Sequence, residues 1–422
     1  MSTGSPKTVL HIVDGLGLSG KTRNLVSVVS RLDRRRFAPV VCRLNDESSP
    51  LVGQLDAARV PLHTIACKDG VNPAAALQLA RLARSLKADI VHCYNPRPML
   101  YGGFAARAIG IRAAVGFLSA FACQVPDRSY GFLPQPLATA SRRNVYRNRL
   151  AAAAMRFIVA VSPALGRRFC EYNEVSLEKL RVIPYGADVR AVDLVTAARA
   201  LELRKQLGFG SADVVIGSVG RLVEQKDYPT QLHAFALAVA RVPSLRMAIA
   251  GDGPLRPQLE RLARELAIAD RVRFVGNWDD VPALLKTVDF FALASKFEPF
   301  GVALLEAKAA GLPIVATAVN EIPDIITEGE SGLLTPPGNA ANMADLFVKL
   351  AQDRDCRARF GARARLEAHQ RSLDAAVAAY ESLYDASLEH RSTAARAPRP
   401  LARGLRLPRT SRRHDGATAR NI

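Results

Sequence analysis

The chain has 422 residues, so at about 100–200 residues per domain it should fold as two or three domains, and a single small module is excluded. Hydrophobic residues make up 49% and charged residues 23%, which is enough apolar material for globular cores and excludes global disorder. The net charge of +19 indicates a polyanionic partner, either nucleic acid or an anionic membrane surface.

Much of this charge lies at the C-terminus. Residues 391–422 contain nine arginines and one acid, and so supply +8 of the net charge. Their low content of large apolar side chains predicts a disordered Arg-rich tail. Two interpretations stay open: a solvated tail without a specific partner, or an arm that binds anionic lipid at about 1 kcal/mol per arginine.

Cysteine usage and hydropathy indicate the compartment. Six cysteines are scattered without a CxxC pair, so neither a disulfide framework nor a zinc site is indicated. The first residues do not have the form of a signal peptide, and no stretch approaches the roughly 20 apolar residues of a membrane span. We expect a cytoplasmic protein, either free or peripheral at the inner face of the plasma membrane.

Ten short apolar runs alternate with amphipathic stretches along the chain. This alternation is typical of parallel sheets wound with crossover helices, and ten strands exceed one compact doubly wound domain. The runs are residues 8–13, 38–44, 89–94, 113–117, 157–162, 213–219, 245–251, 271–276, 289–295 and 313–317.

The domain break is predicted after RVIPYGAD (181–188). The fold class is therefore α/β, with two doubly wound Rossmann-like domains at 1–188 and 189–372. A C-terminal helix at 373–390 that could cross back to the first domain precedes the tail at 391–422. Two such domains facing one another form a cleft between the carboxyl ends of their sheets, where ligands bind in these folds.

The loop after the first strand matches two nucleotide-binding patterns at once. Gly15, Gly17 and Gly20 fit the dinucleotide fingerprint, and Gly15-x4-Gly20-Lys21-Thr22 fits a Walker A motif. Both patterns use glycines to bring backbone N–H groups close to a phosphate at a helix N-terminus.

Each pattern also requires an acidic residue elsewhere in the chain, and the sequence meets this requirement only weakly. A P-loop requires an aspartate at the end of a buried strand to hold magnesium, whereas Asp89 and Asp289 begin strands. A dinucleotide site requires an acid after the second strand, where Asp46 and Glu47 come late. A P-loop, a dinucleotide site, and a loop that contacts phosphate or merely packs closely all stay open.

Charged side chains follow the predicted strands of the second half. Arg221 and Lys226 lie five residues apart on one loop and form a candidate anion clamp. Glu298 lies just before a helix that begins near Gly301, and Glu306 lies within that helix. The free N–H groups of the first helical turn suit a diphosphate.

Another loop of the second half carries Asn277 and Trp278. Trp278 is the only tryptophan of the chain, and its indole could flank a nucleobase at the cleft.

These loops together resemble a known family, the retaining nucleotide-sugar glycosyltransferases numbered 4, which have the two-domain GT-B fold. The pair Glu298-x7-Glu306 followed by GLPIVAT is the most specific element. The matching segments are VIPYGADV (182–189), GRLVEQKDYPTQLHAFA (220–236), IAGDGPLRPQLERLA (249–263), VRFVGNWDDVPALL (272–285), FEPFGVALLEAKAAGLPIVAT (297–317) and EIPDIITEGESGLLTPPGN (321–339).

The resemblance implies transfer of a sugar from a nucleoside-diphosphate sugar, with retention, without a cofactor or a divalent metal. Arg221 and Lys226 would hold the diphosphate and Glu298 the donor sugar, and these three would be the catalytic residues. Glu306 would hold the ribose, and Gly20 would close over the diphosphate. The full set implied for the nucleotide sugar is Gly20, Arg221, Lys226, Asn277, Trp278, Glu298, Pro299, Phe300, Gly301, Val302 and Glu306.

The acceptor side departs from the family pattern. Many relatives have a histidine after the strand at 113–117, and this chain has none there. His92, one strand earlier, is either structural or an acceptor contact. Arg142 and Arg143 lie in a basic segment, 127–149, that is expected to face the acceptor and could lie on an anionic leaflet. A glycan or lipid-linked acceptor in cell-surface polysaccharide or lipopolysaccharide biosynthesis is therefore predicted.

Three other functions are compatible with parts of the sequence. A P-loop ATP-dependent kinase or NTPase would use GLGLSGKT, and a catalytically silent GT-B scaffold would fit the missing histidine. The presence of Arg221, Lys226, Glu298 and Glu306 argues against a silent scaffold. A nucleic-acid partner is not expected, because no recognisable nucleic-acid module is present.

Overall fold

The computed structural model describes residues 5–17, 19–47, 49–67, 72–118, 142–298 and 300–389. These residues form two parallel sheets that follow one another along the chain. Of residues 142 and 143 only the backbone is described. The predicted tail at 391–422 and the segment 119–141 lie outside the described residues.

The first sheet has seven strands in the order β3-β2-β1-β4-β5-β6-β7. The strand that contains Val9 pairs in parallel with both of its neighbours, so that Val9 lies opposite Pro39 on one side and Ile90 on the other. The strands are β1 Lys7–Val13, β2 Phe37–Arg43, β3 Leu62–Thr64, β4 Ile90–Tyr94, β5 Ala113–Leu118, β6 Phe157–Ala160 and β7 Leu180–Val182.

The second sheet has six strands in the order β10-β9-β8-β11-β12-β13, again parallel. β11 is buried at all four residues, as expected for a strand covered by helices on both faces. The strands are β8 Val214–Val219, β9 Leu245–Ala250, β10 Val272–Gly276, β11 Phe290–Leu293, β12 Ile314–Thr317 and β13 Gly332–Thr335.

Three helices of the first half begin at a residue whose side chain caps the helix. Ser19 caps the first helix in a capping box with Thr22, and Asn72 and Ser162 cap two others ahead of a proline. The helices of the first half are α1 Gly20–Arg31, α2 Leu51–Ala57, α3 Pro73–Ser85, α4 Pro96–Ala108, α5 Arg142–Ala154 and α6 Pro163–Tyr172.

The helices of the second half wrap the second sheet and end in a long C-terminal pair. They are α7 Val189–Asp193, α8 Ala197–Gln206, α9 Tyr228–Val239, α10 Arg256–Glu265, α11 Val281–Leu285, α12 Val302–Ala309, α13 Ile322–Ile325, α14 Ala340–Gln352, α15 Arg354–Gln370 and α16 Leu373–Glu389. None of the helices in the described part of the chain is both long and apolar enough to cross a membrane.

All ten predicted strands are present, and the α/β class with two Rossmann-like sheets is confirmed. The prediction omitted β3, β7 and β13. β3 and β7 are three residues long, and each has at least one exposed residue, so they lack the apolar run on which the other strands were predicted. β13 has only four residues and begins with glycine.

The C-terminal helix α16 packs on the first sheet. The Tyr384 hydroxyl lies 2.8 Å from Nδ1 of His92 in β4, and the Tyr384 ring lies against Phe37 of β2. At the helix surface, the Glu381 carboxylate accepts from the Asp33 backbone N–H at 2.8 Å and from Arg36 at 2.7 Å. The helix therefore joins the last described residues to the first sheet.

One apolar cluster also joins the two halves directly. It contains residues from both sheets and from the connection between them. Tyr185 in that connection packs against Phe117 of β5, with ring centroids 6.0 Å apart. On its other side Tyr185 meets Phe300 edge-on at 4.9 Å, immediately before α12. Tyr185 thus fixes the carboxyl end of β5 close to the start of α12.

Candidate active site

The first turns of α1 and α12 meet where the two halves face each other. Gly20, the first residue of α1, lies against Val302, the first residue of α12, and a Cβ added at Gly20 would be 2.8 Å from Val302 Cγ2. Gly301 precedes α12 with φ of +70°, a left-handed conformation that favours glycine. Two helix N-termini, each with unpaired N–H groups and a positive dipole end, therefore converge on one place.

A buried ion pair lies beside this junction. Lys226 Nζ contacts Glu298 Oε2, and the side chains of the two residues are only 15% and 8% exposed. Ser295 donates to the same carboxylate oxygen at 3.2 Å, and the Gly301 backbone N–H donates to the other oxygen, also at 3.2 Å. Glu298 thus holds both the Lys226 ammonium and the residue that precedes α12.

The backbone around this pair is fixed from both sides. The Glu298 N–H donates to Asn320 Oδ1 at 3.0 Å, and Gln225 Nε2 donates to the Phe297 carbonyl at 2.8 Å. Asp227, next to Lys226, is buried with φ of +48°, a strained conformation for a residue other than glycine. The two loops are therefore tied together before any ligand binds.

Glu306 lies one to two turns into α12 and faces the first half. Its Oε1 is 3.6 Å from Arg23 Nη1 of α1. Burial raises the pKa of Glu306, and Asp188 acts in the same direction, whereas Arg23 lowers it. A pocket between the halves is lined by these three residues together with Asp279 and Leu285. Its mixture of charged and apolar groups suits a sugar ring with hydroxyl groups.

The remaining sequence-predicted donor residues lie around the same edge of the second sheet. Arg221 follows β8 and is exposed, with no side-chain partner among the described residues. Asn277 is exposed after β10, and Trp278 Nε1 donates to the Asp280 carbonyl at 3.0 Å. Phe300 is buried. The structure thus brings Gly20, Lys226, Glu298, Phe300, Gly301 and Val302 to one junction, with Glu306 in the adjoining pocket. Their roles stay predictions, and Pro299 lies outside the described residues.

The glycine loop before α1 makes close contacts that the motif does not reveal. A Cβ at Gly17 would be 2.7 Å from Glu47 Oε1, and one at Gly15 would collide with Asn45. The Thr22 hydroxyl donates to the Gly17 carbonyl and completes the helix cap. Because Asn45 and Glu47 are exposed and the ends of their side chains can move, these contacts do not decide between the interpretations of the loop.

The two aspartates considered for a P-loop magnesium lie at the wrong ends of their strands. Asp89 accepts from the Thr8 N–H at 2.9 Å at the start of β4, and Asp289 accepts from the Val215 N–H at 2.7 Å at the start of β11. Magnesium at a P-loop would need them at the carboxyl ends. No group of three or more potential metal ligands occurs in the part of the chain that the structure describes.

His92 does not lie where an acceptor could reach it. Its side chain is 0% exposed, and its Nδ1 bonds to Tyr384, so we correct the predicted acceptor contact to a packing role. The alternation of residues in β4 could not show this, because both faces of a central parallel strand are buried. The side chains of Arg142 and Arg143, which belong to α5 by their backbone, lie outside the described residues.

Sequence reasoning missed Arg23 and Asp188. Arg23 lies three residues after Gly20, and residues at this spacing share a helix face, so the spacing could have indicated it. Asp188 accepts from Arg31 Nη2 at 2.8 Å and caps α7 through the Ala191 N–H. Nothing in the local sequence indicates that Asp188 also borders Glu306.

Comparison with known proteins identifies the family. The model described as Glycosyl transferases group 1 matches residues 200–367, and the one described as Glycosyltransferase Family 4 matches residues 19–191. The chain belongs to glycosyltransferase family 4. The family that the loop motifs resemble is thus confirmed.

Two curated relatives are both named as transferases of sugars. An alpha-D-kanosaminyltransferase of Streptomyces kanamyceticus is 28% identical over 70% of this chain and 76% of its own length. A lipopolysaccharide core biosynthesis glycosyltransferase of Rhizobium meliloti, LpsE, is 36% identical, but the alignment covers only 35% of this chain and 43% of that protein.

A solved structure confirms the GT-B fold. Anabaena Alr3699/HepE, in complex with UDP and glucose, superposes with a TM-score of 0.75 at 21% identity, over 90% of this chain and 100% of that one. At this identity the likeness concerns the fold alone.

Proposed function

We propose that the protein transfers a sugar from a nucleoside-diphosphate sugar, with retention of anomeric configuration and without a divalent metal. The acceptor is a glycan or lipid-linked precursor of cell-surface polysaccharide or lipopolysaccharide. The observation that carries the proposal is the junction of α1 and α12 at Gly20 and Val302, with the Lys226–Glu298 pair beside it.

The junction can stabilise a departing nucleoside diphosphate by fixed charge. Its negative charge grows as the bond to the sugar breaks, and groups already oriented toward that charge lower the barrier most. Lys226 is held by Glu298, and Arg221 lies exposed in the same loop. Together with the first turn of α12, these two cations could take the place of a divalent metal.

The donor sugar and the ribose would lie on either side of the diphosphate. Glu298 precedes α12 and can accept hydrogen bonds from sugar hydroxyls, and Glu306 faces the pocket between the halves. The binding of UDP and glucose by the Anabaena protein of the same fold supports a uridine nucleotide as the first donor to test. The Rhizobium relative supports lipopolysaccharide precursors as the acceptor class.

Donor turnover tests this proposal. The purified protein is mixed with UDP-, GDP- or ADP-glucose and a bacterial lipid extract in EDTA, and ³¹P NMR follows release of the nucleoside diphosphate while ¹H NMR reads the anomeric configuration of the product. We expect release from one donor, an α-linked product from an α-linked donor, and a rate about 100-fold lower in Lys226→Met. The exposed Lys205→Met serves as the matched control.

Two results would contradict the proposal. Absence of release from all three donors, with and without magnesium, would favour a catalytically silent scaffold. Magnesium-dependent hydrolysis of ATP that Lys21→Ala abolishes would favour a P-loop enzyme instead.

Membrane association is a further part of the proposal. α4 and α5 pack side by side, with Arg107 of α4 donating to the Ala153 carbonyl of α5 at 2.7 Å. Phe104 of α4 and Tyr146 and Leu150 of α5 are exposed large apolar residues. With the exposed arginines of the same helices, these side chains suit the surface of an anionic leaflet at the inner face of the plasma membrane.

Vesicle sedimentation tests the membrane part on its own. We expect binding to vesicles with phosphatidylglycerol but not to pure phosphatidylcholine, and weaker binding at high salt. Tyr146→Ser with Leu150→Ser should reduce binding, whereas Leu237→Ser, on the exposed face of α9 in the second half, should not. Equally weak binding to both vesicle types would contradict membrane association.

A further inference from the structure

The lysine of the Walker-like motif has no role in the proposed donor site. Lys21 is the second residue of α1 and follows Gly20, which touches Val302. The side chain is partly buried, yet its ammonium makes no hydrogen bond or ion pair to any residue that the structure describes. Burial lowers the pKa of Lys21, and Asp14 partly offsets this. A partly desolvated ammonium that forms no hydrogen bond or ion-pair contact is unfavourable unless a ligand supplies such contacts.

A second cation lies at the same edge of the first sheet. Asp14 follows β1, and Arg97 is the second residue of α4, which follows the neighbouring strand β4. Arg97 Nε is 3.5 Å from Asp14 Oδ1, and Arg97 Nη2 donates to the Cys67 carbonyl at 3.0 Å. Arg97 is therefore held in place. The Asp14 carboxylate interacts electrostatically with both Arg97 and Lys21.

The backbone at this edge is strained. Asn95, between β4 and α4, has φ of +81°, and its N–H donates to the Phe117 carbonyl of β5 at 2.8 Å. Left-handed residues other than glycine cost about 1–3 kcal/mol and cluster at ligand sites. This conformation sets where α4, and with it Arg97, begins.

We propose that Lys21 and Arg97 bind an anionic group, phosphate or carboxylate, on the acceptor. The inference rests on the proposed function, because it assigns the carboxyl edge of the first sheet to the acceptor and the α1–α12 junction to the donor. It narrows the acceptor class to molecules with a negative charge near the hydroxyl that receives the sugar.

Calorimetric titration of inorganic phosphate tests the inference. The protein is first saturated with the nucleoside diphosphate that binds it, so that phosphate cannot occupy the donor site. We expect wild type to bind phosphate, Lys21→Met to bind it at least about tenfold more weakly, and Lys21→Arg to restore most of the affinity. The exposed Lys205→Met is the control and should not differ from wild type. Acetate titrated in parallel distinguishes a carboxylate site from a phosphate site.

Two further readouts separate this site from the donor site and from folding. Lys21→Met should keep its nucleoside diphosphate affinity within about twofold and should not unfold at a lower temperature, because it removes a desolvated charge. Unchanged phosphate affinity in Lys21→Met, or no phosphate binding by wild type, would overturn the inference. A loss of nucleotide affinity instead would assign Lys21 to the donor.

A failure of the proposed function would be recognised by a different result, in the binding of nucleoside diphosphates to wild type. If no nucleoside diphosphate binds wild type, the donor site is wrong, and the phosphate titration is made on the protein alone. A loss of phosphate binding in Lys21→Met under those conditions would support the anion site, and equal binding would reject it.

Discussion

The two halves of the protein bury polar side chains in different ways. In the first half, His11, Tyr94 and His92 form a core network with Tyr384 of α16, and both histidines are fully buried. Burial lowers the pKa of His11 to about 3 and that of His92 well below its usual range, so both are neutral at physiological pH. This network joins β1 and β4 to α16 without any charge.

In the second half, two buried ion pairs lie at α12, in addition to buried neutral groups such as Ser218 and Gln231. Lys226 pairs with Glu298 next to the start of α12, and Lys308 of α12 pairs with Glu367 of α15. Although burial alone would raise it, hydrogen bonds from Lys308 and Thr327 lower the pKa of Glu367 to about 2. Both of these buried ion pairs therefore lie at α12, the helix whose first turn forms part of the candidate donor site.

The largest expected effect comes from breaking the pair that anchors α12. Lys308→Met leaves Glu367 without its buried partner and should reduce the free energy of unfolding by about 3–5 kcal/mol. Urea unfolding measures this, with the exposed Lys349→Met as control. Because apolar pairs often replace buried ion pairs without loss, adding Glu367→Leu should recover much of the stability. No recovery would mean that the charges themselves are required.

The next effect concerns the pair in the active site. Glu298→Gln removes the charge that holds Lys226 and should lower donor turnover about 100-fold, or about 2.7 kcal/mol, while nucleotide binding is largely kept. Initial rates of nucleoside diphosphate release give the value. Glu260→Gln, which alters only the surface pair with Arg256, is the control. Equal loss in both variants would show that Glu298 has no specific role.

The neutral network should make stability depend on pH in the acid range. Below about pH 6.5 the unfolded chain protonates His11 and the folded protein does not, so stability falls as pH drops and is constant above that value. His11 alone should cost about 2 kcal/mol between pH 7 and pH 5. His11→Gln should flatten this slope, whereas the exposed His369→Gln should not. A slope that His11→Gln leaves unchanged would contradict a neutral buried His11.

The smallest effect tests the link between α16 and the first sheet. Tyr384→Phe removes the hydroxyl that bonds to His92 and should cost about 1 kcal/mol. Thermal unfolding detects it, with Tyr146→Phe on the exposed face of α5 as control. A loss of unfolding free energy as large as that in Lys308→Met would contradict the difference between the two halves.

The sequence predicted the features that depend on local patterns. It missed the contacts between residues that lie far apart in the chain. Apolar runs such as 289–295 predicted the strands, because a strand covered on both faces must be apolar throughout. The pairing of Lys226 with Glu298 could not be predicted, since 72 positions separate them and only the sheet order makes them neighbours. The surroundings of the Walker-like pattern show the same limit, because Asn45 and Glu47, which lie next to its glycines, come from the loop after β2.

The most direct test of the account is whether a nucleoside diphosphate binds at the junction of α1 and α12. UDP, GDP and ADP are titrated by calorimetry in EDTA into wild type, Glu306→Gln and Gly20→Ala, whose new Cβ would press on Val302 at 2.8 Å. Gly53→Ala, with open space around it, is the control. We expect one nucleotide to bind wild type and the control with the same affinity, and to bind the other two variants at least about tenfold more weakly. Equal affinity in all four proteins would contradict it.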